Sequence, residues 1–214
     1  MIVLGLTGSI GMGKSTAARM LQAMGAPVCD SDAVVHGLLG RGGRAVPVID
    51  AAFPGVVVDG AVSRPALGAA VFRDTDALKR LEAILHPMVQ AAQREFLARA
   101  ARRGAKIAVL DIPLLFETRG DRRVDATIVV SAPFAVQRAR VLARPGMTAE
   151  KFAGILARQM PDAEKRRRAD YVVPTGAGRL VTRRALQGIV RDVVRRPGRQ
   201  WPPRGYQPGQ IHHA

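Results

Sequence analysis

The chain has 214 residues, a formal net charge of +16 and a single cysteine. This length predicts one domain, or one domain with a small insert, that can bury a sizeable core. The longest uncharged run, residues 1–13, is too short to span a bilayer and does not follow the pattern of a signal peptide. The lone Cys29 excludes an internal disulfide, and we expect a cytoplasmic protein with no membrane attachment.

Positive charge is concentrated towards the C-terminus. Residues 95–214 contain 24 basic and 10 acidic residues, whereas residues 1–94 contain nine and seven. A positive field attracts polyanions, which favours either a phosphorylated small substrate or a nucleic acid. Of the 33 basic residues, 28 are arginine, and the chain has no asparagine, so part of the charge reflects a compositional bias. We favour an anionic small molecule, with nucleic acid as the alternative.

The residues Gly8–Ser15 match in full the pattern G-x-x-x-x-G-K-[ST] of phosphate-binding loops. The apolar residues 2–6 predict a buried strand before the loop, and residues 16–21 predict the start of a helix that ends near Gly25. Such a loop surrounds a phosphate chain with backbone N–H groups and with the positive end of the helix. The sequence therefore predicts a nucleoside-triphosphate site.

Two side chains of this loop have distinct predicted roles. Lys14 is expected to reach the terminal phosphates and to take part in catalysis, and the Ser15 hydroxyl is expected to bind Mg²⁺. The predicted nucleotide contacts of the loop are Gly8, Gly11, Met12, Gly13, Lys14, Ser15 and Thr16.

Two carboxylates follow the next predicted strand, residues 27–29. In an open parallel sheet, ligands bind at the carboxyl ends of the strands, so we expect Asp30 and Asp32 to face the phosphate loop. A carboxylate within reach of an acceptor hydroxyl can act as a general base. The alternative is a helix N-cap, which Asp30 or Ser31 would also suit. We expect the cap to explain one of the two carboxylates but not both.

A further buried strand, residues 106–111, ends in a carboxylate. An apolar strand that ends in Asp is typical of the Walker-B arrangement, so Asp111 is predicted to hold Mg²⁺ directly or through water. The apolar residues Leu114, Leu115 and Phe116 follow at once. They either belong to the core or contact an apolar part of a substrate.

The middle of the chain predicts helices. Gly and Pro residues divide residues 37–65 into short elements, with a break before Arg64. Apolar residues at three- and four-residue spacing predict a helical stretch over residues 66–103, which Pro87 is expected to kink or restart. His86 at this break is either a helix-end residue or an imidazole that faces a substrate cleft. The sequence alone favours the helix end.

The second half of the chain carries the basic helices. A helix that opens at Pro133 contains Arg140, a candidate catalytic residue, and leads to Arg144, a candidate nucleotide contact. Residues 148–168 predict two helices hinged at Pro161. A basic segment of this kind can close over a nucleotide, where one or two Arg or Lys residues neutralise charge on a phosphoryl group.

The alternation of strands and helices predicts a three-layer α/β fold with a mainly parallel sheet. A last amphipathic helix is predicted from Arg179 to Arg195, so the folded unit is expected to span residues 1–196. From Pro197 onwards Pro, Gly, Gln and Arg dominate, and we expect this basic tail, residues 197–214, to be disordered. The five predicted strands are residues 2–6, 27–29, 106–111, 125–130 and 169–174.

Several segments, in this order, resemble the dephospho-CoA kinase family over roughly residues 2–178. They are Leu6–Thr16, Asp30–Asp32, Leu85–Pro87, Pro113–Glu117, Gln159, Lys165 and Ala169–Asp170. The family more often has Gly at the position of Ser9 and Ser at that of Met12. Many members have Asn where this chain has Pro174-Thr175-Gly176, which leaves an adenine contact at that point open.

The resemblance implies a P-loop kinase fold with a parallel five-stranded sheet, a helical substrate-binding insert and a helical lid. The implied core is about residues 1–32, 104–147 and 169–196, the CoA-binding insert about 33–103, and the lid about 145–168. The implied reaction is transfer of the ATP γ-phosphate, with Mg²⁺, to the ribose 3′-hydroxyl of dephospho-CoA, with Asp32 as the general base. The predicted substrate contacts are Asp32, Arg64, His86, Leu114, Leu115 and Phe116. We expect a monomer.

Two alternatives stay open at this point. Another small P-loop kinase, acting on a nucleoside or nucleotide, would share the phosphate loop and the carboxylates. An ATP-dependent nucleic-acid-binding protein is suggested by the C-terminal charge. A GTPase is disfavoured, because its guanine-reading Asn-Lys-x-Asp motif needs asparagine, which this chain lacks.

Overall fold

A computed structural model of the protein describes residues 1–72 and 74–202. The chain consists of two compact units. The first contains residues 1–29 together with the chain from residue 97 onwards, and the second contains Asp30–Phe96. Among the described residues, no helix is long and apolar enough to cross a membrane.

The elements alternate between strand and helix in much of the chain. In chain order the strands are β1 (Ile2–Thr7), β2 (Val28–Asp30), β3 (Val57–Val58), β4 (Ala61–Val62), β5 (Ile107–Asp111), β6 (Ala126–Ser131) and β7 (Tyr171–Pro174). The helices are α1 (Lys14–Ala23), α2 (Ser31–Leu39), α3 (Val46–Ala52), α4 (Arg64–Val71), α5 (Thr75–Arg102), α6 (Phe134–Leu142), α7 (Ala149–Ala157), α8 (Asp162–Arg168) and α9 (Arg179–Val193).

Five strands of the described chain form one sheet in the order β2-β5-β1-β6-β7. Strand β1 lies at its centre, and every residue of β1 is buried, as expected for a strand covered on both faces. It pairs in parallel with β5 and β6, so that Leu6 lies opposite both Asp111 and Ile128. The parallel register brings the carboxyl ends of these three strands to one edge. The prediction of an α/β fold with a parallel five-stranded sheet is confirmed.

Helices α1 and α9 bury their apolar faces in one core with this sheet. Leu21 of α1 and Leu186 of α9 are completely buried, and they pack in the same cluster as the alternating residues Leu4 and Leu6 of β1. Burial of each such side chain contributes about 1.5–3 kcal/mol. The loop of residues 8–13 joins the carboxyl end of β1 to the first turn of α1.

The second unit has a hydrophobic core of its own. Leu38, Ile49 and Leu67 come from α2, α3 and α4 and lie in one buried cluster, beside the antiparallel pair β3–β4. A buried hydrogen bond supplements this core, because Gln93 Nε2 donates to Ser31 Oγ at 3.0 Å. This bond joins α5 to the first turn of α2.

The middle helix differs from its prediction at two points. The predicted stretch over residues 66–103 divides between α4 and α5, because the Asp74 carboxylate accepts from the backbone N–H of Asp76 and of Ala77 at 2.9 Å and so starts a new helix. Pro87, in turn, lies inside α5 and does not restart it. Proline removes one intrahelical hydrogen bond, and α5 nevertheless continues through Pro87 over its 28 residues.

The first residues of the predicted tail make contacts with the rest of the chain. The backbone N–H groups of Arg199 and Gln200 donate to Asp125 Oδ1 at 2.6 and 3.0 Å, and Trp201 is only 7% exposed. A buried tryptophan removes a large apolar surface from water, a contact that the composition of this segment does not suggest. Residues 203–214 of the predicted tail lie outside the described residues.

Candidate functional site

The phosphate loop connects β1 to α1 and needs glycine for steric reasons. A Cβ atom on Gly8 would lie 2.5 Å from Val130 Cγ2 and 2.8 Å from the Val130 carbonyl oxygen. Gly11 has φ +76°, and a Cβ atom there would lie 2.5 Å from Val141 Cγ2. Both distances are too short for a side chain, so the loop packs closely against β6 and α6 only because these positions are glycine.

The first turn of α1 has the character of an anion site. Its N-cap is Gly13, which offers no side-chain oxygen to the N–H groups, and the turn holds no acidic residue. Lys14, Ser15 and Thr16 follow, of which Ser15 is exposed. A helix start with open N–H groups and a positive dipole attracts negative charge. The local sequence thus leaves this turn without a side chain that would compete with an anion.

Lys14 is joined to Asp111 across the edge of the sheet. Lys14 Nζ lies 2.5 Å from Asp111 Oδ1. Asp111 is the last residue of β5 and its side chain is only 4% exposed, whereas that of Lys14 is 17% exposed. The register of β1 with β5 explains the proximity, because Leu6 lies opposite Asp111 just before the loop begins. Lys14 of the phosphate-loop motif and Asp111 of the Walker-B pattern therefore form an ion pair.

Two glutamine side chains hold the backbone of the loop at Ile10. Gln159 Oε1 accepts from the Ile10 N–H at 3.1 Å, and Gln137 Nε2 donates to the Ile10 carbonyl at 2.8 Å. Gln137 lies on α6 and is buried, whereas Gln159 lies between α7 and α8 and is half-buried. Both contacts are to main-chain atoms, so they control the path of the loop.

Thr175 holds the same loop at Met12. Its hydroxyl lies 2.7 Å from the Met12 carbonyl oxygen and can donate to it. Arg140 donates to the Thr175 carbonyl at 2.7 Å and approaches the Gly11 carbonyl at 3.5 Å. Arg140, a predicted catalytic residue, is therefore beside the loop, while Arg144 follows α6 and is exposed.

The predicted lid forms the helices α7 and α8, with Pro161 as the N-cap of α8. The sequence suggests that its basic run, residues 165–168, is a solvated face with one or two phosphate contacts. Lys165 is instead completely buried, with Nζ 3.0 Å from Glu117 Oε1. The reason is an acidic partner 48 positions earlier in the chain, which the local pattern does not reveal.

Glu117 also binds the chain just before α8. Its Oε1 atom accepts from the Met160 N–H at 2.8 Å, and Ser131 Oγ donates to Asp162 Oδ2 at 2.7 Å. Burial by itself would raise the pKa of Glu117, but the Met160 N–H and the Lys165 ammonium outweigh it, so this pKa lies below its usual range. Glu117 is thus a half-buried carboxylate whose ionised form is favoured by its partners.

The two carboxylates after β2 have different surroundings. Asp30 is the N-cap of α2, and its Oδ1 accepts from the N–H of Asp32 at 2.9 Å and of Ala33 at 3.3 Å. The N-cap interpretation therefore holds for Asp30. The Asp32 side chain lies in the first turn of α2 and is exposed. Of the two, only Asp30 has its carboxylate engaged as a cap.

The predicted substrate contacts divide by exposure. Arg64, the first residue of α4, and His86, inside α5, are exposed, so His86 is not the helix-end residue that the sequence favoured. Leu114 is 40% exposed, whereas Leu115 and Phe116 are buried. A Cβ atom on Gly5 would lie 2.9 Å from Leu115, which shows how tightly Leu115 packs on β1. The core interpretation therefore fits Leu115 and Phe116.

Comparison with known proteins identifies the family. The family model described as dephospho-CoA kinase matches residues 2–179. The chain belongs to the dephospho-CoA kinase family.

Relatives in this family are similar over most of their length. The dephospho-CoA kinase of Paramagnetospirillum magneticum is 65% identical over 166 residues, which cover 78% of each chain. That of Mesorhizobium japonicum is 59% identical over 193 residues, 90% of this chain and 97% of its own. The crystal structure of TT1252 from Thermus thermophilus is similar with a TM-score of 0.78 and 37% identity, over 90% of this chain and 97% of that one.

The surroundings of Met12 explain one difference between this member of the dephospho-CoA kinase family and the usual loop sequence of the family. Met12, where the family pattern more often has Ser, is 2% exposed, and its sulfur lies 3.1 Å from the Ala132 backbone N–H. The long side chain thus replaces a short polar one by filling space and accepting a weak hydrogen bond at the end of β6.

Sequence reasoning about the kinase site missed Gln137 and gave no role to Gln159 or Thr175. Gln137 stands in an ordinary amphipathic helix, and no local signal separates it from a solvated glutamine. Gln159 appears only as part of the family resemblance, and Thr175 only as a departure from it. Their contacts to the loop span 127 to 163 positions of sequence, so only the tertiary structure brings them together.

Proposed function

We propose that the protein transfers the γ-phosphoryl group of ATP to the ribose 3′-hydroxyl of dephospho-CoA, which yields coenzyme A and ADP. The observation that carries the proposal is the family match over residues 2–179, in a chain whose phosphate loop is intact. Dephospho-CoA is anionic through its pyrophosphate, and the basic excess of residues 95–214 suits such a substrate. A cytoplasmic location and a monomeric state stay predictions.

The proposed chemistry is an in-line displacement at the γ-phosphorus. The acceptor oxygen forms a bond to phosphorus, the bond from phosphorus to the β–γ bridging oxygen breaks, and ADP leaves with that electron pair. We assign the acceptor proton to Asp32. This assignment is supported by the capping role of Asp30, which occupies one carboxylate oxygen, and by the exposure of the Asp32 side chain.

The phosphate chain is proposed to bind the N–H groups of the loop and the first turn of α1, with Lys14 at the terminal phosphates. Ser15 and Asp111 would hold Mg²⁺, because a hydroxyl and one carboxylate are the hard oxygen donors that Mg²⁺ takes beside phosphate oxygens. Asp111 supports this fit, since its buried carboxylate already faces a cation, the Lys14 ammonium. Bound Mg²⁺ supplies positive charge against the phosphates.

Basic residues beside the loop are proposed to stabilise the charge of the transferred group. Arg140 is the best supported, because two of its nitrogen atoms reach Thr175 and one approaches Gly11. Arg144 lies just after α6 and is exposed, as a nucleotide contact would require. Residues 145–168 are proposed to act as a lid.

The acceptor is proposed to contact the second unit. Asp32, Arg64 and His86 are all exposed residues of that unit. Leu114, 40% exposed, is the residue of the apolar segment best suited to contact the pantetheine arm. Leu115 and Phe116 would support it from the core.

The test is a comparison of acceptors. Purified protein is incubated with ATP, Mg²⁺ and one of dephospho-CoA, adenosine or a nucleoside monophosphate, and ADP release is followed. We expect dephospho-CoA to be the preferred acceptor, and an analogue without the 3′-hydroxyl to be inert. The Lys14→Ala variant, prepared in parallel, controls for contaminating kinases. A nucleoside or nucleotide preferred over dephospho-CoA would overturn the proposal, and so would ATP hydrolysis that requires DNA or RNA.

A further inference from the structure

The Ser9–Ile10 peptide of the phosphate loop has both its polar groups engaged by the protein. Its carbonyl, on Ser9, accepts from the Met12 N–H at 3.1 Å, and its N–H, on Ile10, donates to Gln159 Oε1 at 3.1 Å. A backbone group that is already paired inside the protein is a poor ligand for a phosphate. This peptide is therefore an anchor of the loop.

The next peptide is held by the second glutamine. Gln137 Nε2 donates to the Ile10 carbonyl at 2.8 Å. Because a trans peptide is planar, its C=O and N–H point in opposite directions, so a carbonyl bound on one side directs the Gly11 N–H to the other. Gln137 is 3% exposed, and a buried side chain has few alternative rotamers. It therefore sets the direction of the first N–H beyond the anchor.

The position of Gly11 makes this control necessary. Glycine has more backbone freedom than other residues, and Gly11 adopts φ +76°. A loop with a glycine directly after Ile10 would sample several orientations of the adjoining peptides unless side chains restrain them. The two glutamines supply that restraint from α6 and from the α7–α8 turn.

Gln159 in turn has a fixed position. Its neighbour Met160 donates its N–H to Glu117 Oε1 at 2.8 Å, and Glu117 is paired with the buried Lys165. The turn that presents the Gln159 amide is thus tied to the segment after β5. The loop, the turn and this segment form one connected set of contacts.

We propose that Gln137 and Gln159 are positioning residues that orient the phosphate loop for the ATP phosphates. The inference rests on the proposed function only in taking ATP as the ligand of the loop. It assigns opposite chemical roles to the two side chains, since Gln137 must donate a hydrogen bond and Gln159 must accept one.

Because one glutamine donates and the other accepts, substitution by glutamate and by leucine should affect ATP affinity in opposite orders at the two positions. At residue 159, glutamate keeps an acceptor for the Ile10 N–H and leucine does not, so ATP affinity should fall in the order Gln, Glu, Leu. At residue 137, glutamate sets a carboxylate against a carbonyl oxygen, so the order should be Gln, Leu, Glu. Loss of one hydrogen bond predicts about 3- to 10-fold weaker ATP binding.

The experiment measures the Kd of ATP by calorimetry, and KM and kcat with dephospho-CoA, for Gln137→Leu, Gln137→Glu, Gln159→Leu and Gln159→Glu. Gln22→Leu, at an exposed position of α1, is the matched control. We expect the ATP constants to change while the KM for dephospho-CoA stays within about twofold of the wild type. Thermal unfolding identifies a variant that fails to fold, and the Leu variants then provide the comparison with Gln22→Leu.

Two results would overturn the inference. One is the same ranking of Glu and Leu at both positions, and the other is ATP affinity equal to the wild type in both Leu variants. Failure of the proposed function looks different, because wild-type protein would then bind ATP without phosphorylating dephospho-CoA, or would not bind ATP at all.

Discussion

Lys165 and Glu117 form an ion pair in which the ammonium group is completely buried and the carboxylate is 19% exposed. Glu117 Oε2 and Asp162 Oδ1 are also buried, and neither accepts a hydrogen bond from a described residue. Removal of a buried charge from water is expensive, so the pair is tolerated only while both partners are present. The packing of α8 therefore depends on the ion pair between Lys165 and Glu117.

Lys165→Met is expected to destabilise the fold by about 3–5 kcal/mol, because it leaves the Glu117 carboxylate without its cation. Urea denaturation measures the change. Arg166→Met, an exposed neighbour on the same helix, should change the free energy of unfolding by less than about 0.5 kcal/mol. The double variant Lys165→Met with Glu117→Gln should recover part of the loss. If Lys165→Met is no worse than Arg166→Met, the pair contributes little.

The same pair predicts a dependence of stability on pH. The pKa of Glu117 in the folded state is lowered, chiefly because hydrogen bonds and Lys165 outweigh the effect of burial. A lowered carboxylate pKa stabilises the fold above the unfolded-state value, about 4.3, and this stability is lost as the pH falls towards the folded value. The difference in unfolding free energy between wild type and Glu117→Gln should therefore shrink on acidification below about pH 4.3. A constant difference down to pH 3 would contradict it.

Gly8→Ala is expected to destabilise the protein and to impair ATP binding. The new Cβ atom would lie 2.8 Å from a backbone oxygen of Val130, and overpacking of this kind costs about 1–3 kcal/mol. Gly188→Ala is the opposite case, since Gly188 is exposed within α9 and a Cβ atom there would meet nothing within 4 Å. It should stabilise the protein by about 0.4–1 kcal/mol. Thermal melts of both variants decide the point, and equal effects would be inconsistent with these contacts.

Asp32→Asn is expected to lower kcat by about 10²–10⁴-fold, the range for loss of a general base, while ATP affinity is retained. Asp30→Asn is the matched control, because asparagine caps a helix as well as aspartate does. It should leave kcat and stability near the wild-type values. Steady-state kinetics with dephospho-CoA separates the two. Full activity of Asp32→Asn would move the role of base to another group.

Asp111→Asn is expected to raise the Mg²⁺ concentration needed for half-maximal activity by more than about tenfold, since an amide is a weaker ligand for Mg²⁺ than a carboxylate. A chelator should stop turnover of the wild type. Titration of Mg²⁺ at fixed ATP gives the measurement. Asp50→Asn, an exposed carboxylate of the second unit, should titrate like the wild type. An unchanged Mg²⁺ dependence in Asp111→Asn would remove Asp111 from the metal site.

The features that local sequence predicted correctly are those with a local cause. The phosphate loop lies between β1 and α1 because an apolar strand, three glycines and a helix start follow one another within a few residues. Asp111 ends β5 because the apolar run stops there. Asp30 caps α2 because a short polar side chain satisfies the N–H groups two and three positions later.

What only the tertiary structure decided are the contacts between distant parts of the chain. Lys165 belongs to a basic run that reads as a solvated face, yet Glu117 makes its burial possible. Trp201 stands in a stretch with the composition of a disordered tail, yet it is buried next to residues that bind Asp125. Hydrophobic periodicity and capping depend on residues a few positions apart. The partner of a buried polar group can lie far away in the sequence, so only the tertiary structure identifies it. The amino-acid sequence alone thus identified the glycine-rich loop between β1 and α1, and the packing of α6 and the α7–α8 turn determined how that loop is held.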